Sequence, residues 1–462
     1  MARGSVGGVR KSALRRWSAS VRESLASELW PIPTAAIAVG VLLGILIPEF
    51  DLAIDDDLSP SIRAWLFSGG VDSARSVLTV IAGSLVTATS LTFSLTIVAL
   101  QLASNQASPR VLRTFSKDRV VHATLALFVG TFAYALAVLR TVQDATDTDL
   151  AQVPRIAVTL ASLLTLASVI QLTLFLAHLA KQLRVETTMK YVHAETSRTI
   201  ALVAETSNGI GSIPDDLRPA RTRLALARDS GFVRGADRSL LVRVAVRDDI
   251  VIEEGVAAGH NVVMGTPVAT WWSRDPLRHP NDADAERISL DIASAFALDF
   301  ERTPSHDLGF GIRQLTDIVV RAMSPGVNDP TTAVHALGHV SAVLADISVL
   351  PPQPVALVDD DEIVRVLLRI HEFDELLEAA LEQPRRYGAE DPVVVARLFQ
   401  LIREVAYRTS DPAHRSALEG QVRRLEATVA AVDYDEIEVA RFAAQAAAAR
   451  SALTGEWDFA RD

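Results

Sequence analysis

Cysteine is absent from the 462 residues. That absence excludes disulfide frameworks, thiolate-held zinc or iron–sulfur centres and thiol catalysis. Lysine is scarce: Lys11, Lys117, Lys181 and Lys190 are the whole set, so nearly all positive charge is arginine. The net charge of -11 lacks the basic excess a general nucleic-acid binder needs to neutralise phosphates. Charge itself is missing from four long windows, residues 29–48, 76–109, 120–139 and 156–180. Each reaches the ~20 residues that cross ~30 Å of hydrocarbon, and a charge at the bilayer centre is costly. With 49% hydrophobic residues and a mean hydropathy of +0.24, the chain reads as membrane spans joined to a soluble region and not as a disordered one.

The flanks of the windows alternate in sign. The leader carries Arg3, Arg10, Lys11, Arg15 and Arg16; the first loop Glu49, Asp51, Asp55, Asp56, Asp57 and Asp72; the second Arg110, Arg113, Lys117 and Arg119. Asp144, Asp147 and Asp149 precede the fourth window, and Lys181, Arg184 and Lys190 follow it. This is the positive-inside pattern of four spans, with both termini cytoplasmic. The first window ends Ile47-Pro48-Glu49 without a small-x-small cleavage site, so it reads as a retained span and not as a signal peptide.

The expected fold class is an α+β membrane protein. A leader (1–28) precedes a four-helix transmembrane domain (29–180), followed by a juxtamembrane helix and linker (181–223) broken at Asn208-Gly209 and Pro214-Asp215-Asp216. A β-rich subdomain (224–283) and a helical cytoplasmic subdomain (284–462) complete the plan. Leu240–Val246 and Ile250–Ile252 read as strands. Gly259–Val268 resembles the turn pattern of biotinyl- or lipoyl-type barrels, so a small barrel-like subdomain is expected. No lysine follows Lys190 to carry either arm. Ile312, Leu315, Ile318, Val319 and Ala322 mark one helix face. Asp329 and Pro330 start the next helix as cap and first residue. Pro351–Pro354 reads as a linker, with helices at about 361–383, 391–408, 413–431 and 434–452.

Two polar groupings stand out. In the second window Ser84, Thr87, Ser94 and Gln101 recur at spacings of three and seven, near one helical stripe. Such a stripe either packs against neighbouring spans or faces a water-filled pathway. Further on, Arg302, Asp307, Asp317, Arg321, Asn328 and Asp329 form either a helix corner held by caps and ion pairs or a ligand site. His335 and His339 share a helix face, yet no Glu follows His335, so the zincin pattern is missing and no metal site is assigned. No phosphate loop, Gly-x-Ser-x-Gly elbow or kinase signature occurs, and Gly309-Phe310-Gly311 lacks a third glycine. No enzyme and no cofactor are therefore expected.

Several stretches carry a resemblance: Gly83-Ser84-Leu85, Phe93-Ser94-Leu95-Thr96, Val98–Ser104, Ser108-Pro109-Arg110-Val111-Leu112, Glu301-Arg302-Thr303 with Asp307, and Ser324–Ala333. Together they resemble the bacterial predicted-membrane-protein family known as domain of unknown function 2254, from the first span to the last helices. His306 stands where that family is expected to favour Gln. The resemblance implies membrane location and architecture and brings no reaction or substrate. The composition and patterning together point to an oligomeric ion channel or transport protein regulated by its cytoplasmic region. The alternative is a membrane-anchored ligand sensor or scaffold. The expected partners are the lipid bilayer, further copies of the chain and a small ligand or ion, and not nucleic acid.

Overall fold

The computed structural model describes residues 30–54, 65–106, 118–142, 153–206, 221–275, 277, 280–304, 306–350, 355–457 and 459. The basic leader, Asp55–Asp57, the Ser108–Leu112 loop, Asp144–Asp149, the break around Asn208 and Pro214, and Pro351–Pro354 lie outside the described residues. The chain divides into two compact units, Met1–Thr187 and Thr188–Asp462.

In the first unit the four charge-free windows are helices α1 (Pro31–Ile54), α2 (Val71–Gln106), α3 (Arg119–Thr141) and α4 (Arg155–Gln182), each long and apolar enough to cross a membrane. α2 has 36 residues; at ~1.5 Å per residue it outruns the hydrocarbon thickness. α1 and α3 cross with their backbones almost touching. A Cβ on Gly40 would meet the Gly130 carbonyl oxygen at 2.3 Å, and one on Gly44 would meet Ala137 Cβ at 2.5 Å. Gly40-x-x-x-Gly44 thus works as the small-residue pair that lets membrane helices pack without a hydrophobic drive. Phe128, Tyr134, Leu78 and Leu85 fill the interior. Pro154 offers α4 no capping side chain. The buried Asp51 replaces it, accepting from Ile156 N at 2.7 Å and Ala157 N at 3.2 Å. Asp118 caps α3 through Val120 N at 2.8 Å and also holds Gln182 Nε2 at 3.0 Å and His178 Nε2 at 2.6 Å.

The second unit opens with α5 (Val185–Thr206), most of which belongs to it. Strands β1 (Arg223–Leu226), β2 (Gly231–Ala236), β3 (Ile250–Glu254), β4 (Asn261–Val262), β5 (Pro267–Ser273), β6 (Phe296–Asp299), β7 (Val355–Val358) and β8 (Val364–Leu368) form two sheets. One has the order β1-β5-β3-β8-β7 and the other β4-β2-β6. All pairings are antiparallel except β3 with β8, where Ile252 faces Val366 and Glu253 faces Leu367. Both sheets end in edge strands, so the expected barrel is corrected: the turns at Gly259 and Gly265 feed two open sheets and no barrel closes. Alternation along β3 buries Ile250 and Ile252 against helices α6 (Arg238–Asp248) and α7 (Asp282–Ser294), while Val251 packs with Trp272 on the opposite face.

Two further expectations are corrected. Leu240–Val246 is part of helix α6 and not a strand. Asp237 caps it by accepting from Leu240 N, Asp249 ends it in the left-handed region, and Leu241, Val244 and Ala245 are its buried face. The cap and the 3–4 spacing outweigh the β-branched composition. The helix expected from 361 begins only at Phe373, because Val364–Leu368 is taken up as β8 by the exposed flank of β3. The remaining helices are α8 (Leu308–Ala322), α9 (Pro330–Ile347), α10 (Phe373–Tyr387), α11 (Pro392–Arg408), α12 (Pro412–Ala430) and α13 (Glu436–Leu453). α5 runs so close to α8 that a Cβ on Gly311 would lie 1.8 Å from Thr196 Oγ1.

Candidate functional site

In the soluble unit the parallel β3–β8 pairing brings Glu254, at the end of one strand, beside Arg369, just past the other. Arg369 N donates to Glu254 Oε2 at 3.0 Å. Around them opens a cleft of about 280 Å³, lined by Glu254, Arg238, His306, Arg369, His371 and the backbone at Gly235 and Ala257. Burial pushes the Glu254 carboxyl up to about 7 against the opposing pull of Arg238 and the Arg369 amide. Burial, with Arg238 adding to it, also holds His306 below the ordinary histidine value. His306 has φ 61°, a left-handed conformation that aims it unusually for a non-glycine residue. Arg238 makes no ion pair among the described residues, so its charge is left to the cleft. A half-protonated carboxyl facing an unpaired guanidinium suits a small anionic or zwitterionic ligand.

Behind the cleft stands a charged knot. Asp307 is fully buried and accepts from Arg302 Nε at 2.5 Å and Nη2 at 2.9 Å, and from Phe310 N at 3.0 Å as the cap of α8. His371 Nε2 lies 3.4 Å from the same carboxylate and 2.7 Å from the Ala258 carbonyl oxygen. Burial opposes the charge on Asp307, but Arg302 and His371 outweigh it and hold the carboxyl below the usual range. Gly259, at φ 87°, is the floor: a Cβ there would sit 2.0 Å from Asp307 Oδ2.

His260, His371 and Glu375 offer ligand atoms within 4.8 Å of one another. Their hydrogen bonds argue against a cation here. His260 Nδ1 accepts from Ala257 N at 3.0 Å, so the proton of the neutral ring sits on Nε2, the nitrogen left for a ligand. Two competent donors remain, fewer than the three protein ligands a zinc ion needs.

The sequence-derived cluster divides. Arg302 and Asp307 are joined, beside His306 and the cleft. Asp329 lies beyond the far end of α8, about 20 Å away at ~1.5 Å per residue. Its carboxylate caps α9, accepting from Thr332 N at 3.0 Å and Thr332 Oγ1 at 2.6 Å. Asn328 takes φ 46° to turn the corner, a conformation its side chain tolerates. Asp317 and Arg321 are half-buried along α8. Glu254, Arg238, His260, His371 and Glu375 carried no local sequence signal; strand pairing between residues more than a hundred positions apart assembles them.

Two expected outcomes follow here. Asp329→Ala loses about 1 kcal/mol in a denaturant titration, and Asp329→Asn or Asp329→Ser recovers most of it, as a cap requires. Equal loss in all three variants would show that the charge itself is needed. Glu254 behaves with the opposite sign to a paired carboxylate. Its folded-state value of about 7 exceeds the ordinary 4.5, so the folded chain holds a proton that the unfolded chain has released. The stability of the neutral form is complete below about pH 4.5 and is lost as pH rises through 7. Glu254→Gln therefore gains up to about 3 kcal/mol over the parent above pH 7 and nothing in acid. Parallel melting-versus-pH curves for the two proteins would contradict this.

The first unit places its candidates differently. Ser84, Thr87, Ser94 and Gln101 are all exposed on α2, directed away from α1, α3 and α4, while Leu78, Leu85, Thr92 and Thr96 form the inward face. Thr87 Oγ1 donates to Gly83 O at 3.1 Å along its own helix. The stripe is thus not the packing seam between spans of one chain.

Four apolar helices followed by a soluble α+β unit define a membrane protein. The chain belongs to the family described as Predicted membrane protein (DUF2254), which it matches over residues 26–404. Two relatives are Uncharacterized protein Rv1290c of Mycobacterium tuberculosis (strain H37Rv) and Uncharacterized protein Mb1321c of Mycobacterium bovis. Each is 32% identical over 417 residues, covering 87% of this chain and 76% of the relative. No solved structure matches the chain.

Proposed function

We propose that the protein is an oligomeric ion channel or transport protein of the inner membrane, with α2 lining the pathway and the soluble unit regulating it. The observation that carries this reading is the outward exposure of Ser84, Thr87, Ser94 and Gln101. The side chains of Ser84, Ser94 and Gln101 make no hydrogen bond to any described residue, and polar groups facing hydrocarbon without a partner are costly. Further copies of the chain around a wet axis give them water instead, and cyclic homo-oligomers are the common solution. The bundle interior is filled by Phe128 and Tyr134, so a path through one copy is not what the packing favours.

The regulatory half of the reading rests on the cleft at Arg238 and Glu254, which suits a small anionic ligand. Both termini lie on the cytoplasmic side in this reading, from the sign alternation of the loops; a reporter fused after residue 60 that reads cytoplasmic would overturn that orientation. The test of the function is ion flux into liposomes holding the purified chain. Absence of flux for monovalent and divalent ions of either sign would move the second reading ahead. That reading is a membrane-anchored sensor without transport, favoured by the unpaired Arg238 in its cleft.

A further inference from the structure

Away from the cleft, three imidazoles meet within the soluble unit. His335 and His339 stand one turn apart on α9, their ring centroids 5.2 Å apart. His193 reaches across from α5, its centroid 5.1 Å from that of His339. Nδ1 of His193 is enclosed and makes no hydrogen bond. A buried ring nitrogen without a partner costs free energy and asks for an occupant.

We propose that His193, His335 and His339 together bind one divalent transition-metal ion of the zinc class, with water completing its shell. Imidazole nitrogens suit zinc, copper and nickel. The spacing fits. A metal–nitrogen bond is about 2.0–2.1 Å and the ring centre lies about 1.1 Å further out, so tetrahedral ligation separates neighbouring centroids by about 5 Å. Both pairs that include His339 stand at that separation, while the nitrogens of the three rings do not all lie within 4.8 Å of one another, so binding turns the rings to bring them onto the ion. His335 is exposed and its ring can turn onto the ion, while His193 and His339 are half-buried and held by their helices. The contrast with His260 is chemical: there an amide proton occupies the second nitrogen, whereas here no amide competes.

The site is independent of the transport reading, and its test reads metal and not flux. Tag-free full-length protein in detergent is titrated with Zn²⁺ by calorimetry and with Co²⁺ by visible absorption, which no cysteine complicates. The expected result is one ion per chain. His193→Gln and His339→Gln each weaken binding by more than about tenfold, since loss of even a supporting contact costs that much. His335→Gln, exposed and harmless to the core, weakens it as well, while His260→Gln and His371→Gln leave it unchanged. Melting curves of the ion-free variants separate lost ligation from lost fold. Full-strength binding in His335→Gln together with His339→Gln, the absence of a saturable one-to-one site, or loss of binding in His371→Gln instead would each overturn the proposal.

Discussion

Cysteine placed at Ser84, Thr87, Ser94 or Gln101 is expected to react with a water-soluble thiol reagent in membranes, while cysteine at Val86, Phe93 or Leu85 is not. Val86 and Phe93 are exposed on α2 but turned round the helix from the stripe, and Leu85 is buried; only a hydrated thiol ionises readily. The chain has no cysteine of its own, so each variant is read without background. Flux should follow the same line. Ser94→Leu turns a polar wall into an apolar constriction that can dewet, and an added barrier of about 1.4 kcal/mol already lowers conduction about tenfold. Unreactive stripe positions with undiminished flux in Ser94→Leu would remove α2 as the pathway.

The second large effect is expected at the knot behind the cleft. Asp307→Ala strips a buried carboxylate from Arg302 and His371 and removes the cap of α8, a loss of about 3 kcal/mol or more by the measure of broken buried pairs. Asp307→Asn keeps an acceptor for Phe310 N and should lose less. Gly259→Ala should do comparable harm without touching a charge. Its new methyl would lie 2.0 Å from Asp307 Oδ2 and 2.8 Å from Arg302 Nε, at a backbone φ of 87° that disfavours a side chain. Because both changes break the same contact, the double variant Gly259→Ala/Asp307→Ala should lose clearly less than the sum of the two. Strict additivity in denaturant titrations would show that the glycine and the carboxylate act separately.

The membrane half was legible in the sequence because a charge-free run of twenty or more residues has few structural outcomes. The windows at 29–48 and 120–139 return as α1 and α3, shifted by a few residues. What each helix touches was not legible. Gly40 and Gly44 read as ordinary apolar-window residues until Gly130 is set against them, and the side of α2 that bears Ser84 is fixed by contacts with other helices. In the soluble half, Arg302 and Asp307 were legible only as two members of a six-residue cluster; their bidentate pairing, and the separation of Asp329 from them, were not. Glu254 and His371 were not, since each looks like a common strand-end residue alone. The misread of Leu240–Val246 has a plain cause: valine-rich composition was weighed above the Asp237 cap three residues before it. The strand at Val364–Leu368 pairs with nearby β7 as well as with β3, more than a hundred residues earlier, and only the second pairing lay beyond local reading.

That same pairing sets an order of events during synthesis. β3 emerges from the ribosome long before β8, with α7, α8 and α9 made in between. Until residue 368 is available, the five-stranded sheet lacks both β8 and β7, and β3 presents an unpaired flank of backbone donors and acceptors, the kind of edge that invites mispairing. The cleft is assembled at the same late moment, since Arg369 and His371 arrive with β8. Closure of so long a loop is slow compared with local helix formation. Nascent chains arrested before residue 364 should therefore hold finished membrane helices and a soluble unit that is incomplete, sticky toward strands and without its cleft.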